Sequence, residues 1–129
     1  MKHLTPKETY AYLQAHPEAL FVDCRTEMEF FYVGHPLGAS HIAWQEVPDW
    51  EINDKFAAEV LREAGAKDRP VVLICRSGNR SVDAGESLEA AGFADITNVL
   101  YGFEGELDPQ HHRNGLNGWR HDGLPWQQM

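Results

Sequence analysis

The sequence predicts an α/β domain with a mostly parallel central sheet and helices on both faces. Three observations carry this. Strand-length apolar runs, "ALFVDC", "RPVVLIC" and "DITNVLYGF", alternate along the chain with segments of helical pattern, the signature of strand–helix–strand units. The strongest run, "VVLIC", has no polar alternation, which suits a strand buried on both faces of a parallel sheet. A chain of 129 residues with 43% apolar content and four tryptophans has enough material for one core, so residues 1–129 are read as one domain.

The elements follow in order. Thr5 is a candidate N-cap, Pro6 occupies the first helical position and Glu8 the capping-box position, so a helix is expected from Pro6 to about His16, stopped by Pro17. "ALFVDC" is the first strand, with polar chemistry beginning at Asp23. Thr26 and Glu29 repeat the three-apart cap spacing, giving a two-turn helix before the break at Gly34 and Pro36. "SHIAW" is a very short strand. In "NDKFAAEVLREAG", Phe56, Val60 and Ala64 share a helical face and Gly65 ends it. After "RPVVLIC" comes a helix from about Ser81, with Val82, Leu88 and Ala91 on one side and Gly92 as its stop. A last strand lies in "DITNVLYGF". The tail from Glu104 is rich in Gly, Pro, Asn and Asp and is expected as ordered loop pinned by Trp119, Leu124 and Trp126.

Charge and cysteine usage narrow the function classes. A formal charge of −9 disfavours nucleic acid or an anionic membrane as partner and requires any site for an anion to be locally positive. The run Val71 to Cys75 is far shorter than the ~20 residues of a membrane helix, and the start "MKHLTPKETY" has no apolar leader, so a soluble, cytoplasmic protein is expected. Cys24 and Cys75 are too few for a disulfide framework, which leaves reduced thiols.

Chemistry concentrates in "CRSGNRS". Cys75 lies where strand becomes loop, and residues Arg76, Ser77, Gly78, Asn79 and Arg80 run straight into a helix, turning backbone N–H groups and the positive helix end toward one point. Beside Arg76 and Arg80 a thiol is expected to favour the thiolate form. Gly78 permits the tight path. Such a thiolate in an anion cradle supports phosphoryl or sulfur transfer. Cysteine-dependent phosphatases place arginine after five intervening residues, and here that position is Ser81. Arg80 comes after four. The shorter ring suits one extra sulfur atom better than a phosphate, which counts against a phosphatase or an arsenate reductase.

These residues resemble the active-site loop of single-domain rhodanese sulfurtransferases. "FVDCRTEMEF" is similar to that family's early Asp-x-Arg element, "GHPLGASHI" to its Gly-His-x-x-Gly-Ala turn and "GWRHDGLPW" to its closing Trp and Gly-Leu-Pro signature, over roughly residues 5 to 126. The resemblance implies a rhodanese-like domain, no cofactor, and a sulfur relay. The Cys75 thiolate would take the outer sulfur of thiosulfate or a persulfide donor and pass it, as a persulfide, to cyanide or a thiol. Amides of residues 76 to 80 would stabilise the charged sulfur, Arg76 and Arg80 would attract the anionic donor or support the loop, and Asp23 would either hold one of those arginines or form a structural ion pair with Arg25. A second reading keeps the same loop as a persulfide carrier with little thiosulfate activity. A protein or thiol acceptor and a monomer or homodimer fit equally.

Two departures from the family stand out. Cys24 takes the place of a small aliphatic residue and is read as core. The Gly-Gly-x-x-x-Trp ending is replaced by a longer stretch between Gly102 and Trp119, expected over the mouth of the site. His111, His112 and His121 lack the spacing of a metal site and are read as exposed; no metal is expected. Trp44, Trp50, Trp119 and Trp126 are read as anchors of irregular loops.

Overall fold

A computed structural model describes residues 1–129. The central sheet has five parallel strands: β1 (Lys2–Leu4), β2 (Leu20–Asp23), β4 (Ser40–His41), β5 (Val71–Ile74) and β6 (Ile96–Val99), in the order β1-β6-β5-β2-β4. Helix α1 (Pro6–Ala15) packs on one face. Helices α2 (Phe56–Ala64) and α3 (Arg80–Ala90) cover the other. A separate two-stranded antiparallel pair joins β3 (His35–Pro36) to β7 (Trp126–Gln127).

Alternation along the inner strands divides the core in two. Leu20, Val22, Cys24, Val71, Leu73, Cys75 and Ile96 face α2 and α3, meeting Phe56, Val60, Ala84 and Leu88. Phe21, Val72, Ile74 and Val99 face the other way and meet Phe103 and Trp119, with Tyr10 and Leu13 of α1 outside them. β2 and β5 are buried at every position, as an unalternated apolar run requires when helices lie above and below.

Local signals explain most boundaries. Thr5 and Glu8 form the reciprocal capping box, Pro6 sits at the helix start, and α1 ends at Ala15. Phe56, Val60 and Ala64 are the buried face of α2, and Gly65 ends it in the left-handed conformation. On α3 the buried face is Ser81, Ala84, Gly85 and Leu88, with Val82 and Ala91 only half-buried. The expected Val82 face is thus rotated, because Ser81 turns inward beneath Cys75.

Three features differ from expectation. Lys2–Leu4 forms an edge strand on β6, too short and polar to read as one. The segment Glu29–Val33 winds as a π-helix, with Gly34 N–H donating to Glu29 O. Within the tail, Trp126 and Gln127 pair with His35 and Pro36 instead of remaining loop; Trp126 is partly exposed, while Trp119 is fully buried with its indole N–H donating to Pro125 O.

The tail is fixed to the carboxyl end of β5 by backbone bonds. Cys75 O accepts from Phe103 N–H at 2.8 Å and Arg76 O from Glu104 N–H at 2.9 Å, so Gly102 passes directly against the Cys75–Arg76 backbone with φ +60°. A Cβ at Gly102 would run into the Cys75 and Arg76 carbonyl groups. We therefore expect Gly102→Ala to cost more than about 2 kcal/mol, above the ~1 kcal/mol left-handed strain expected for Gly65→Ala, whose Cβ would meet nothing within 4 Å. Urea unfolding of the two variants checks this; equal costs would contradict the close approach.

Candidate active site

Strand β5 ends at Ile74 and helix α3 starts at Arg80, so the intervening residues turn tightly around the Cys75 sulfur. Gly78 N–H donates to Cys75 Sγ at 3.1 Å and Ser81 N–H at 3.3 Å. Gly78 has φ +103°, a conformation that L side chains rarely adopt, and a Cβ there would sit 3.2 Å from Tyr101 N, a tight contact. Of the five amides expected to face the sulfur, Gly78 does; Ser81 joins it from the first turn of α3. The N–H groups of Arg76, Ser77 and Asn79 have no acceptor within the protein.

Ser81, standing where a phosphatase loop carries arginine, is fully buried. Its Oγ lies 3.2 Å from Cys75 Sγ and donates to Asn98 Oδ1 at 2.5 Å, while Asn98 Nδ2 donates to His3 Nδ1 at 3.2 Å. This polar chain runs under the loop to the edge strand β1. Asn98 escaped the sequence reading because it sits mid-strand in "DITNVLYGF", where only its burial reveals the connection.

The loop arginines have unequal surroundings. Arg76 is exposed and its side chain makes no hydrogen bond or ion pair. Arg80 is held in a two-pronged fork, Nη1 to Glu29 Oε1 and Nη2 to Glu29 Oε2, both at 2.8 Å. Burial pushes the Glu29 carboxyl upward, but hydrogen bonds and charge from Arg80, with bonds from Thr26, outweigh it and bring it down to about 2. Burial works likewise against the Arg80 cation, yet Glu29 raises it above its ordinary value. Glu29 was read only as a capping partner of Thr26. It does exchange bonds with Thr26, and the π-helical turn lets the same carboxylate reach Arg80.

Asp23 holds neither loop arginine. Both Asp23 and Arg25 are fully buried, with Arg25 Nε donating to Asp23 Oδ1 at 2.9 Å and Nη2 to Oδ2 at 2.6 Å; Nη2 also donates to Gly34 O. The pair ties the end of β2 to the turn before β3, and the Arg25 guanidinium lies 4.6 Å from the centre of the Phe103 ring. Cys24 is buried in the core with Sγ donating to Ile74 O at 3.4 Å, and burial, then the neighbouring Cys75 and Asp23, push its thiol well up.

A cleft of about 830 Å³ opens above Cys75. Its lining includes Arg76, Ser77, Asn79 and Arg80 from the loop, Glu29 and Val33 from the π-helical turn, Val47 and Trp50 from the β4–α2 connection, and Glu104, Leu107, His111 and Arg113 from the long tail. Trp50 therefore borders the site and is about half exposed, whereas Trp44 is buried against Phe56. No group of three or more His, Cys, Asp or Glu side chains gathers where it could hold a metal ion, and no helix is long and apolar enough to cross a membrane.

Residues 5–106 match the family model described as Rhodanese-like domain. The chain belongs to that family. Among solved structures, this rhodanese-like chain is similar to the crystal structure of Rv0390 from M. tuberculosis, at 40% identity and TM-score 0.88, covering 100% of this chain and 98% of that one. It is similar to the polysulfide-sulfur transferase homodimer of Wolinella succinogenes, at 25% identity and TM-score 0.66, with 100% and 80% covered. Among curated relatives, the chloroplastic thiosulfate sulfurtransferase 16 of Arabidopsis thaliana is 27% identical over 107 residues, 81% of this chain and 77% of that one. The family match stops at residue 106, so Leu107, His111 and Arg113 on the cleft wall lie beyond it.

The Glu29 shift yields a pH prediction. Its folded value of about 2 lies below the ordinary 4.5, so its contribution is fully present above about 4.5 and is lost as pH falls toward 2. Urea unfolding from neutral pH to about pH 3 should cost the parent up to roughly 2 kcal/mol more than it costs Glu29→Gln. Parallel profiles would show that the fork adds nothing to folding.

Proposed function

We propose that this protein is a sulfurtransferase that moves sulfane sulfur from a small anionic donor, such as thiosulfate or a persulfide, to a thiophilic acceptor through a persulfide on Cys75. The observation that carries the reading is the turn around Sγ: two backbone N–H groups already bond the sulfur, and those of Arg76, Ser77 and Asn79 are free to receive one more charged atom. In the first step the Cys75 thiolate attacks the outer sulfur of thiosulfate. An S–S bond forms at Cys75, the sulfur–sulfur bond of the donor breaks, and sulfite leaves with the electron pair. In the second, cyanide or a thiolate attacks the outer sulfur and Cys75 departs as thiolate, which gives ping-pong kinetics.

Role assignments follow the charges. Arg76 is the free cation of the loop and draws the anionic donor; Arg80, neutralised by Glu29, holds the start of α3 in place. Gly78 and Ser81 orient the sulfur, Ser77 and Asn79 supply amides, and Asp23 with Arg25 supports the strand end from behind. The burial of Ser81 against Asn98 leaves no arginine fork facing a bound phosphate, which supports sulfur over phosphoryl chemistry. A carrier with little thiosulfate activity, loaded by a protein persulfide, is favoured by one observation, the neutralisation of Arg80, which halves the loop's pull on a free inorganic anion.

Intact mass after thiosulfate, then cyanide with thiocyanate detection, tests the reading alongside Cys75→Ser. We expect a gain of one sulfur atom that cyanide removes and that the variant lacks. Loading only from a protein persulfide would select the carrier reading. Turnover of phosphate esters with unchanged mass after every sulfur donor would overturn both.

A further inference from the structure

The cleft is far larger than an inorganic sulfur donor needs. Thiosulfate has only five heavy atoms, whereas about 830 Å³ lies in the range that encloses organic ligands. Beyond the Cys75 loop and the π-helical turn, the cleft is lined by residues of the β4–α2 connection and of the tail beyond residue 106. Three apolar side chains there, Val47, Trp50 and Leu107, are each 44–47% exposed. The protein covers roughly half of each, with the Arg80 guanidinium 5.8 Å from the centre of the Trp50 ring, and leaves the rest of their apolar surface open.

The charges of the same wall are selective. Arg80 and Glu29 cancel each other in their fork, which leaves Arg76 and Arg113 against Glu104. The Arg76 side chain has no partner, and Arg113 spends one Nη on Gly105 O at 2.6 Å, so most donors of these two cleft-lining guanidinium groups make no bond within the protein. On a chain of net charge −9 this is a local positive patch beside an apolar wall.

We propose that the outer cleft is a subsite for a small organic thiol bearing a carboxylate, which serves as the sulfur acceptor. The inference rests on the sulfur-transfer reading for its chemistry. Trp50, Val47 and Leu107 cover the carbon portion, Arg113 and Arg76 take the carboxylate, and the thiolate is left pointing at Cys75. That thiolate attacks the outer sulfur of the Cys75 persulfide; a new S–S bond forms on the acceptor, the Sγ–S bond breaks, and its electron pair stays on Cys75 as thiolate. The Cys75 persulfide is the anion left by the first step, so the acceptor departs as a persulfide anion, no proton is required, and no external oxidant or reductant is consumed.

Two arms test it. Cys75 is loaded with sulfur and its discharge is followed with 3-mercaptopropionate, neutral 2-mercaptoethanol and cationic cysteamine, each rate corrected for thiolate fraction. The carboxylate thiol should be fastest by about tenfold, and Arg113→Ala should remove most of that preference, as expected for one lost charge-assisted contact. Separately, S-methylglutathione, which has no transferable thiol, is titrated while the Trp50 indole resonance is followed by NMR. A saturable shift that Arg113→Ala weakens supports the subsite even where no donor loads Cys75, and such a result would sink the sulfur-transfer reading alone. Equal discharge to all three thiols together with an unmoved Trp50 resonance would overturn the subsite and leave the sulfur-transfer reading standing.

Discussion

The structure depends on how the chain leaves strand β5. Between Ile74 and Arg80 it must change from a strand buried on both faces to a helix lying over one of them, and it does so around a single sulfur atom. Gly78 and Ser81 direct N–H groups at Cys75 Sγ, which fixes the turn from the inside. The carbonyl groups of Cys75 and Arg76 accept from Phe103, Glu104 and Gly105, which fixes it from the outside. Both sides of the same backbone are therefore held by hydrogen bonds within the protein itself. Preorganised donors of this kind need little rearrangement to meet a developing charge.

Electrostatics set the second constraint. A chain of net charge −9 can attract an anion only through a local arrangement of cations. The protein divides its arginines accordingly. Arg25 is sealed against Asp23 and holds two elements together; Arg80 is neutralised by Glu29 and secures the helix start; Arg76 and Arg113 remain open to the cleft. The structural pairs are buried or half-buried, where an unpaired cation would be costly, and the free ones are placed where solvent screens them until a ligand enters.

Much of this was legible in residue order. The unalternated run "VVLIC" located the central strand, and the capping box at Thr5 and Glu8 and the stop at Gly65 placed helix ends to within a residue. The position of Cys75 at a strand end beside a short polar loop followed from the same signals. Pairings between distant segments were not legible. Residue order left Asp23 two partners, a loop arginine or Arg25 two residues along; Arg25 is nearer and shares its burial, so the local pair forms. Glu29 looked like an ordinary cap partner because nothing local announces the π-helical turn that brings its carboxylate to Arg80. Asn98 and the strand at Lys2–Leu4 acquire their roles only from neighbours almost a chain length away. The tail was read as loop since Trp126 and Gln127 have too few residues to show a strand period.

The most direct measurement is the electron density at Cys75 in crystals soaked with thiosulfate or polysulfide. The account predicts one additional sulfur bonded to Sγ and surrounded by the amides of Arg76, Ser77 and Asn79. An intact oxyanion lying in the loop with Sγ unmodified would contradict it.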